Sequence, residues 1–506
     1  MNPRPNVLLI MSDEHTPAVA GFAGDEIVQT PNLDRLAARA IRFDRATCTN
    51  PVCTPSRMSM LTGKDAHRCA AWSNHWVIFP EHVTWPAHFG KHGYTTCLVG
   101  KMHFGGRDQM NGFQYRPYGD LRHGLGHQPD PLAMFPGYAN AESAGVTEIP
   151  ESLIQDVIVT RETLAFLREL DDASPATPWF VCASYARPHS PLTAPGRYIR
   201  RYRDRVRPAA YGKEWRANLE PFARQLVPDL TEEQALRGRE GYYACVNFVD
   251  DCIGELLDGL ERDGLLENTI VIYTSDHGDM IGLYGCWGKQ LYYQPSVGVP
   301  LLISGPEVAT DTVLPHPISL MDLFPTTCAL CDLPIPPGLD GLDFSSVLRN
   351  PTLAAPRVFA PSATYRYGVR INYATTAEDT PCAAWRCVRD QRWKYVEVEG
   401  GESLLFDTEV DSLETTNLAA DPKHAQRCRR MREELFKGFS WEGVHAQLRE
   451  DRSRLPAFLS GLQPSTPNQY RLPDGRVFDA EKSLYDARWL AIPPGCTGGI
   501  IPQQFG

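Results

Sequence analysis

Four apolar runs in this chain end, within a few residues, in ionisable side chains. That pattern restricts the fold more than any other feature. Residues 7–11 lead to Asp13 and Glu14, and residues 94–99 to Lys101 and His103. Residues 179–184 lead to Arg187 and His189, and residues 269–274 to Asp276 and His277. A short, continuous apolar run bounded by polar residues reads as a strand buried on both faces. Such strands belong to parallel sheets covered by helices. Residues 300–304 read as one more buried strand. Helical spacing lies between the runs. Thr30 and Pro31 open a helix carrying Leu33, Leu36, Ala37, Ala40 and Ile41. A longer one covers residues 232–263, with Tyr242, Cys245, Val249, Ile253, Leu256 and Leu260 on one face and Gly264 as its stop. Strand, loop and helix in this order give an α/β domain. Ligands in open α/β sheets bind beyond the carboxyl ends of the strands. If the four runs are parallel neighbours, their polar clusters meet on one rim, where two carboxylates and a histidine suit a divalent cation.

A different pattern begins near residue 355. Trp385–Arg389 and Trp393–Val398 read as short antiparallel strands about a polar turn, with residues 404–406 as a third. Residues 423–438 read as a charged amphipathic helix. The expectation is a small α+β domain over 356–440 after an α/β domain over 1–355. Residues 441–506 are rich in Pro, Gly and Arg with weak periodicity. They read as an extended arm, open both to an oligomer contact and to packing on its own chain.

Composition serves mainly to exclude. The 506 residues carry 50 Lys+Arg against 61 Asp+Glu, a net charge of −11 with no basic stripe, so nucleic acid is not the expected partner. With 42% apolar and 22% charged residues the chain is not globally disordered. No apolar run has the length of a bilayer span, and the first is too short for a signal-peptide core. The expectation is a soluble, cytoplasmic protein without membrane contact. Fourteen cysteines in a chain of this length suit free, buried thiols rather than a disulfide scaffold. Cys328 and Cys331 form a C-x-x-C with no second pair, and read as packed thiols.

Cys53-Thr54-Pro55-Ser56-Arg57, followed by Leu61-Thr62-Gly63, carries the most specific chemistry. Pro55 is suited to open a helix. Cys53 would then sit just before a helix N-terminus, where the partial positive charge favours an ionised nucleophile. Arg57 would lie within the first turns, in reach of that nucleophile or of an oxyanion. Trp72, Asn74, His75 and Trp76 form an aromatic, polar loop that reads equally as a pocket wall or as packing.

With these motifs the chain resembles the sulfatase family of the alkaline phosphatase superfamily. The resemblance rests on the Cys53 motif, Pro5-Asn6-Val7 to Asp13, and Thr30-Pro31-Asn32-Leu33-Asp34. Gly100-Lys101-Met102-His103, Pro188-His189-Ser190-Pro191, and Ser275-Asp276-His277-Gly278-Asp279 with Lys289 complete it, in family order. It implies an alkaline-phosphatase-like α/β fold: a mixed, mostly parallel sheet flanked by helices, with a smaller C-terminal domain. It implies that Cys53 is oxidised to formylglycine, whose hydrated aldehyde offers a hard oxygen where a thiolate is soft. Asp13, residue 53, Asp276 and His277 would hold one divalent ion, Ca2+ or Mn2+. Glu14 stands where many relatives carry a second Asp, its ligation left open.

By the same resemblance Arg57 steadies the nucleophile, and Lys101 and His189 bind the sulfuryl oxygens. Lys289 stands near the leaving group, with His189 able to share its protonation. His103 is the base that lets the intermediate collapse and restore the aldehyde. The implied activity is sulfate-ester hydrolysis of the arylsulfatase type. The implied partners are a small sulfate ester, a formylglycine-generating enzyme and further copies of the chain in a homodimer or homotetramer. The alternative is a phosphonate monoester or phosphodiester hydrolase with the same machinery. A non-catalytic scaffold is the third reading, and the complete set of polar site candidates argues against it.

Overall fold

The main sheet has eight strands, and seven of them run parallel. The order is Thr312–Ser319, Ile41–Thr47, Leu301–Ser304, Thr269–Ser275, Asn6–Asp13, Trp179–Pro188, Thr95–Gly100, Tyr115–Tyr118. Leu301–Ser304 alone is antiparallel to its neighbours. This computed structural model describes residues 4–459 except 75, 106–107, 120–140, 143, 148, 225–226 and 366–383, with two further short strands, Gln469–Arg471 and Val477–Asp479. The four strands that end in ionisable residues are adjacent and parallel. Their ends are level, with Ser12 opposite Ser275 and both Met11 and Gly100 opposite Ser184. All four polar clusters therefore leave the sheet on one rim.

Strand alternation sorts the core into two layers. Val7, Leu9 and Met11 face one layer, and Leu8 and Ile10 the other. The second layer is covered by Pro31–Ala37, Gln155–Ala173 and Glu232–Arg262. The first is covered by Cys53–Thr62, Trp85–Lys91 and Leu323–Leu330. Each fully buried Val, Leu or Ile contributes roughly 1.5–3 kcal/mol, so the sheet is a stiff platform for the loops on its rim.

Two local readings are corrected. The helix read as running through Ile41 stops at Ala37, and Ile41 opens a strand paired on both sides. Tertiary pairing overrides local periodicity there. Residues 441–454, read as part of an arm, form the helix Trp441–Arg454, with the Ser440 hydroxyl accepting from Gly443 N–H. Its pattern was weak because only Val444, Leu448 and Asp451 are buried. That helix packs on its own chain, with Trp72, Trp76 and Phe79 in the same cluster. Apart from the two short strands, residues beyond 459 lie outside the described region.

The smaller sheet is antiparallel, in the order Ala360–Thr364, Trp385–Arg389, Trp393–Val398, Ser403–Asp407. Cys387, Val396 and Phe406 join the core of the main sheet. Val388, Tyr395 and Leu405 pack against Met431 and Leu435 of the helix Ala425–Leu435. Cys328 and Cys331 are buried free thiols at the end of Leu323–Leu330.

Candidate active site

Cys53 lies in the first turn of the wholly buried helix Cys53–Thr62, rather than just before it, and is 1% exposed. The N-cap residue, Val52, offers no side-chain acceptor. The Oδ1 of Asn74 takes its place from the following loop, accepting the Thr54 N–H at 3.0 Å. The Cys53 sulfur is 3.2 Å from His277 Nε2 and 3.9 Å from Asp13 Oδ1.

Asp13 ends the central strand, and Asp276 and His277 follow the neighbouring one. Arg57, one turn below Cys53, bridges the two carboxylates. Its Nε donates to Asp276 Oδ2 at 2.8 Å and its Nη2 to Asp13 Oδ2 at 2.7 Å. Its Nη1 donates to the Lys101 carbonyl at 2.6 Å and to Ser184 Oγ at 3.0 Å. Arg57 thus acts on residue 53 through these carboxylates and the Lys101 loop. Lys101 Nζ lies 2.7 Å from Asp13 Oδ2. Each carboxylate has its Oδ2 on Arg57, while its Oδ1 lies towards residue 53 or His277.

Asp13, residue 53, Asp276 and His277 each present one ligand atom, all within 4.8 Å of one another. His277 Nδ1 donates to the Gly278 carbonyl at 3.0 Å, which leaves Nε2 facing the cluster. Two carboxylate oxygens, an imidazole nitrogen and a side chain at position 53 fit a divalent cation. A Cβ on Gly278 would lie 1.9 Å from the Pro295 carbonyl, so only glycine lets the chain turn here behind the two ligands.

Glu14 takes a different path. Its φ of +68° swings it off the strand line, and Oε2 accepts from Lys289 Nζ at 2.9 Å. His189 Nε2 lies 3.4 Å from the same oxygen and 3.9 Å from Asp13 Oδ1. Glu14 therefore groups with Asp13 and His189 rather than with Asp276 and His277. Lys289 joins this side of the site. His103 also sits at positive φ, +56°, beside the Cys53 sulfur, where its hydrogen bond favours the thiolate.

Burial pushes the Cys53 thiol up, yet Lys289, Lys101 and His277 together bring it well below its ordinary value. Burial and the Cys53 sulfur oppose ionisation of Asp13, but Lys101, His189 and Arg57 hold it well below the carboxylate range. Burial lifts Asp276 above its ordinary value despite Arg57, and lifts Glu14 to about 8 despite Lys289. Burial opposes protonation of His277, but the Asp276 carboxylate carries it up to about 9. Burial, Lys101 and Lys289 drive His189 down to about 4. The centre is thus arranged to hold negative charge at position 53, ringed by cationic side chains.

The catalytic and metal candidates named from the sequence meet here: Asp13, Glu14, Cys53, Arg57, Lys101, His103, His189, Asp276, His277 and Lys289. Arg187, named with the third polar cluster, instead pairs with Asp156 at 2.7 Å. The supporting groups were not legible. Tyr242, read as one more apolar-face residue, donates its hydroxyl to the Glu14 carbonyl at 2.7 Å. Ser184 carries no sequence signal, and the roles of Thr54 and Asn74, named only as motif and loop residues, were not visible because each acts through a neighbour brought close only by folding. Trp72 and Trp76 pack against the C-terminal helix, and His75 lies outside the described residues.

Residues 5–333 match the family model for sulfatases, and residues 282–439 match that for the C-terminal part of N-sulphoglucosamine sulphohydrolase. The chain belongs to the sulfatase family and is an enzyme of the sulfatase class. It is 31% identical over 446 residues to a choline-sulfatase of Rhizobium meliloti, covering 83% of each chain. An arylsulfatase of Clostridium perfringens is 29% identical, over 86% of this chain and 94% of that one. The phosphonate monoester hydrolase of Agrobacterium radiobacter shares the fold, with a TM-score of 0.73 at 24% identity over 88% of this chain and 96% of that one. Among the described residues no helix is long and apolar enough to cross a membrane.

Proposed function

We propose that this enzyme hydrolyses small aryl or alkyl sulfate esters, with residue 53 oxidised to formylglycine and one Ca2+ or Mn2+ ion in the site. The observation that carries this reading is the placement of residue 53. It sits in the first turn of a buried helix, facing Asp13, Asp276 and His277, with Lys101 and Lys289 close by. Asp13, Asp276, His277 and residue 53 would hold the ion. When present, the hydrated aldehyde and the ion together supply an oxygen nucleophile that is ionised at neutral pH.

The chain's own residues do the rest. Arg57 fixes both carboxylates and the Lys101 loop, so the reacting groups are held before substrate enters. Lys101 offsets the charge on the sulfuryl oxygens, and His189, a neutral imidazole at its lowered value, hydrogen-bonds to them. Lys289, held against Glu14, stands on the leaving-group side and donates a proton or hydrogen bond to the departing oxygen. His103 takes the proton whose removal releases sulfate. A symmetric oligomer and a formylglycine-generating enzyme belong to the same proposal. Mass spectrometry of the residue-53 peptide should show the aldehyde mass. Cys53→Ala should keep its fold and lose turnover of 4-nitrophenyl sulfate. Retained activity sinks the nucleophile assignment. Higher catalytic efficiency on phenyl phosphonate esters than on the sulfate moves the enzyme to the phosphonate class.

A further inference from the structure

The loop that carries Lys101 and His103 is tied to the helix Cys53–Thr62 at two backbone carbonyls. Arg57 Nη1 donates to the carbonyl of Lys101 at 2.6 Å. The Thr54 hydroxyl donates to the carbonyl of His103 at 2.7 Å. Both donors leave the same buried helix, and both acceptors belong to residues of the site, Lys101 with its Nζ 2.7 Å from Asp13 Oδ2 and His103 hydrogen-bonded to the Cys53 sulfur. The loop needs such ties. Gly100 enters it at φ +95°, where a Cβ would lie 2.1 Å from the Ser184 carbonyl. His103 holds φ +56°, a conformation that costs a non-glycine residue of order 1–3 kcal/mol and persists only where its surroundings enforce it. The Thr54 N–H is itself taken by Asn74, so the residue that clamps His103 is fixed from both sides.

We propose that Thr54 is a positioning residue: its hydroxyl holds the left-handed turn at His103 and so sets the imidazole against residue 53. This deepens the proposed function and rests on its assignment of His103 as the base. Thr54 takes no proton and touches no substrate. Its effect is exerted through the position of His103, as with the outer partners of metal-ligating histidines, whose loss costs about 10–100-fold in activity.

The test compares Thr54→Val, Thr54→Ser and His103→Ala in protein whose residue-53 conversion is measured by mass spectrometry, with rates normalised to converted enzyme. Thr54→Val should lower kcat by about 10-fold or more and lower KM with it, leaving kcat/KM nearly unchanged. A rapid burst of released phenol should precede the slow turnover, because the impaired step follows departure of the leaving group. Thr54→Ser, which keeps the hydroxyl, should restore turnover. Adding Thr54→Val to His103→Ala should cost nothing further, since the two act as one unit. Hydrogen exchange over residues 101–104 should quicken in Thr54→Val and not in Thr54→Ser. Normal kcat in Thr54→Val beside an impaired His103→Ala overturns the clamp. If His103→Ala itself turns over normally, the base assignment has failed. The clamp is then judged by exchange alone, and unchanged exchange overturns it. Should Thr54→Val not fold, Thr54→Ala against Thr54→Ser carries the same comparison.

Discussion

Two buried charge clusters sit at opposite ends of the helix Cys53–Thr62, and they are built differently. At its start, one arginine faces two carboxylates, Asp13 and Asp276, each with a second oxygen directed away from it. Just past its end, Asp65 faces Arg386 of the smaller sheet through two contacts, at 2.8 and 3.3 Å. Arg386 is further engaged by the Leu435 carbonyl, the Tyr365 hydroxyl and the ring of Phe439. The second cluster closes on itself and joins two parts of the molecule. The first leaves ligand atoms over, which is the arrangement a site for a cation and an anion requires.

Asp276→Asn should break the first cluster alone. Turnover should fall by about 1,000-fold or more, ~4 kcal/mol at the barrier, while the Asp65–Arg386 contact that docks the smaller sheet stays intact. Calorimetry with added Ca2+ or Mn2+ sharpens the contrast. Wild type should gain about 2.7 kcal/mol at about a hundredfold excess over Kd, Asp65→Asn should gain the same, and Asp276→Asn should gain little. A metal response that survives in Asp276→Asn removes that residue from the ligand set.

Asp65→Asn should do the reverse. It strands a buried guanidinium, at a cost of about 3–5 kcal/mol in stability, with kcat per folded molecule unchanged. The pH dependence follows with a definite sign. Arg386 and His67 hold the Asp65 carboxyl well below its ordinary value against the effect of burial. A depressed folded-state value adds stability above the ordinary carboxylate range, and that stability is lost as pH falls through and below it. Urea midpoints between pH 6 and 3 should therefore fall more steeply in wild type than in Asp65→Asn. Parallel curves would show that the pair does not control docking of the smaller sheet.

The smallest effect is expected between these extremes. The Trp72 indole donates to Asp451 of the C-terminal helix at 2.8 Å. Trp72→Phe should cost about 1.5–3 kcal/mol, towards the lower figure because Gln447 still donates to the same carboxylate. Kinetics should be unaffected unless the loop lets go of Asn74, and a kcat loss there would link the C-terminal helix to the nucleophile turn.

The difference between the clusters also marks what could be read in advance. Asp13, Asp276, His277 and Lys101 were legible because each follows a strand recognisable by its apolar run, and parallel neighbours share a rim. Trp385–Arg389 and Trp393–Val398 were legible as two short runs on either side of a polar turn. Asp65 with Arg386 was not, since the partners are 321 residues apart and neither sits in a motif. Thr54 and Tyr242 were hidden for a related reason: a hydroxyl donating to a distant carbonyl leaves no periodic trace. The helix Trp441–Arg454 escaped because its buried stripe is too narrow to register against its charged face.

The separation in sequence has a temporal side. Residue 53 is enclosed partly by His277, which is 224 residues further along. At a synthesis rate of about 5–20 residues per second, roughly 10–45 s pass between the emergence of the two. During that interval the Cys53 stretch lacks the His277 wall that encloses it in the folded chain.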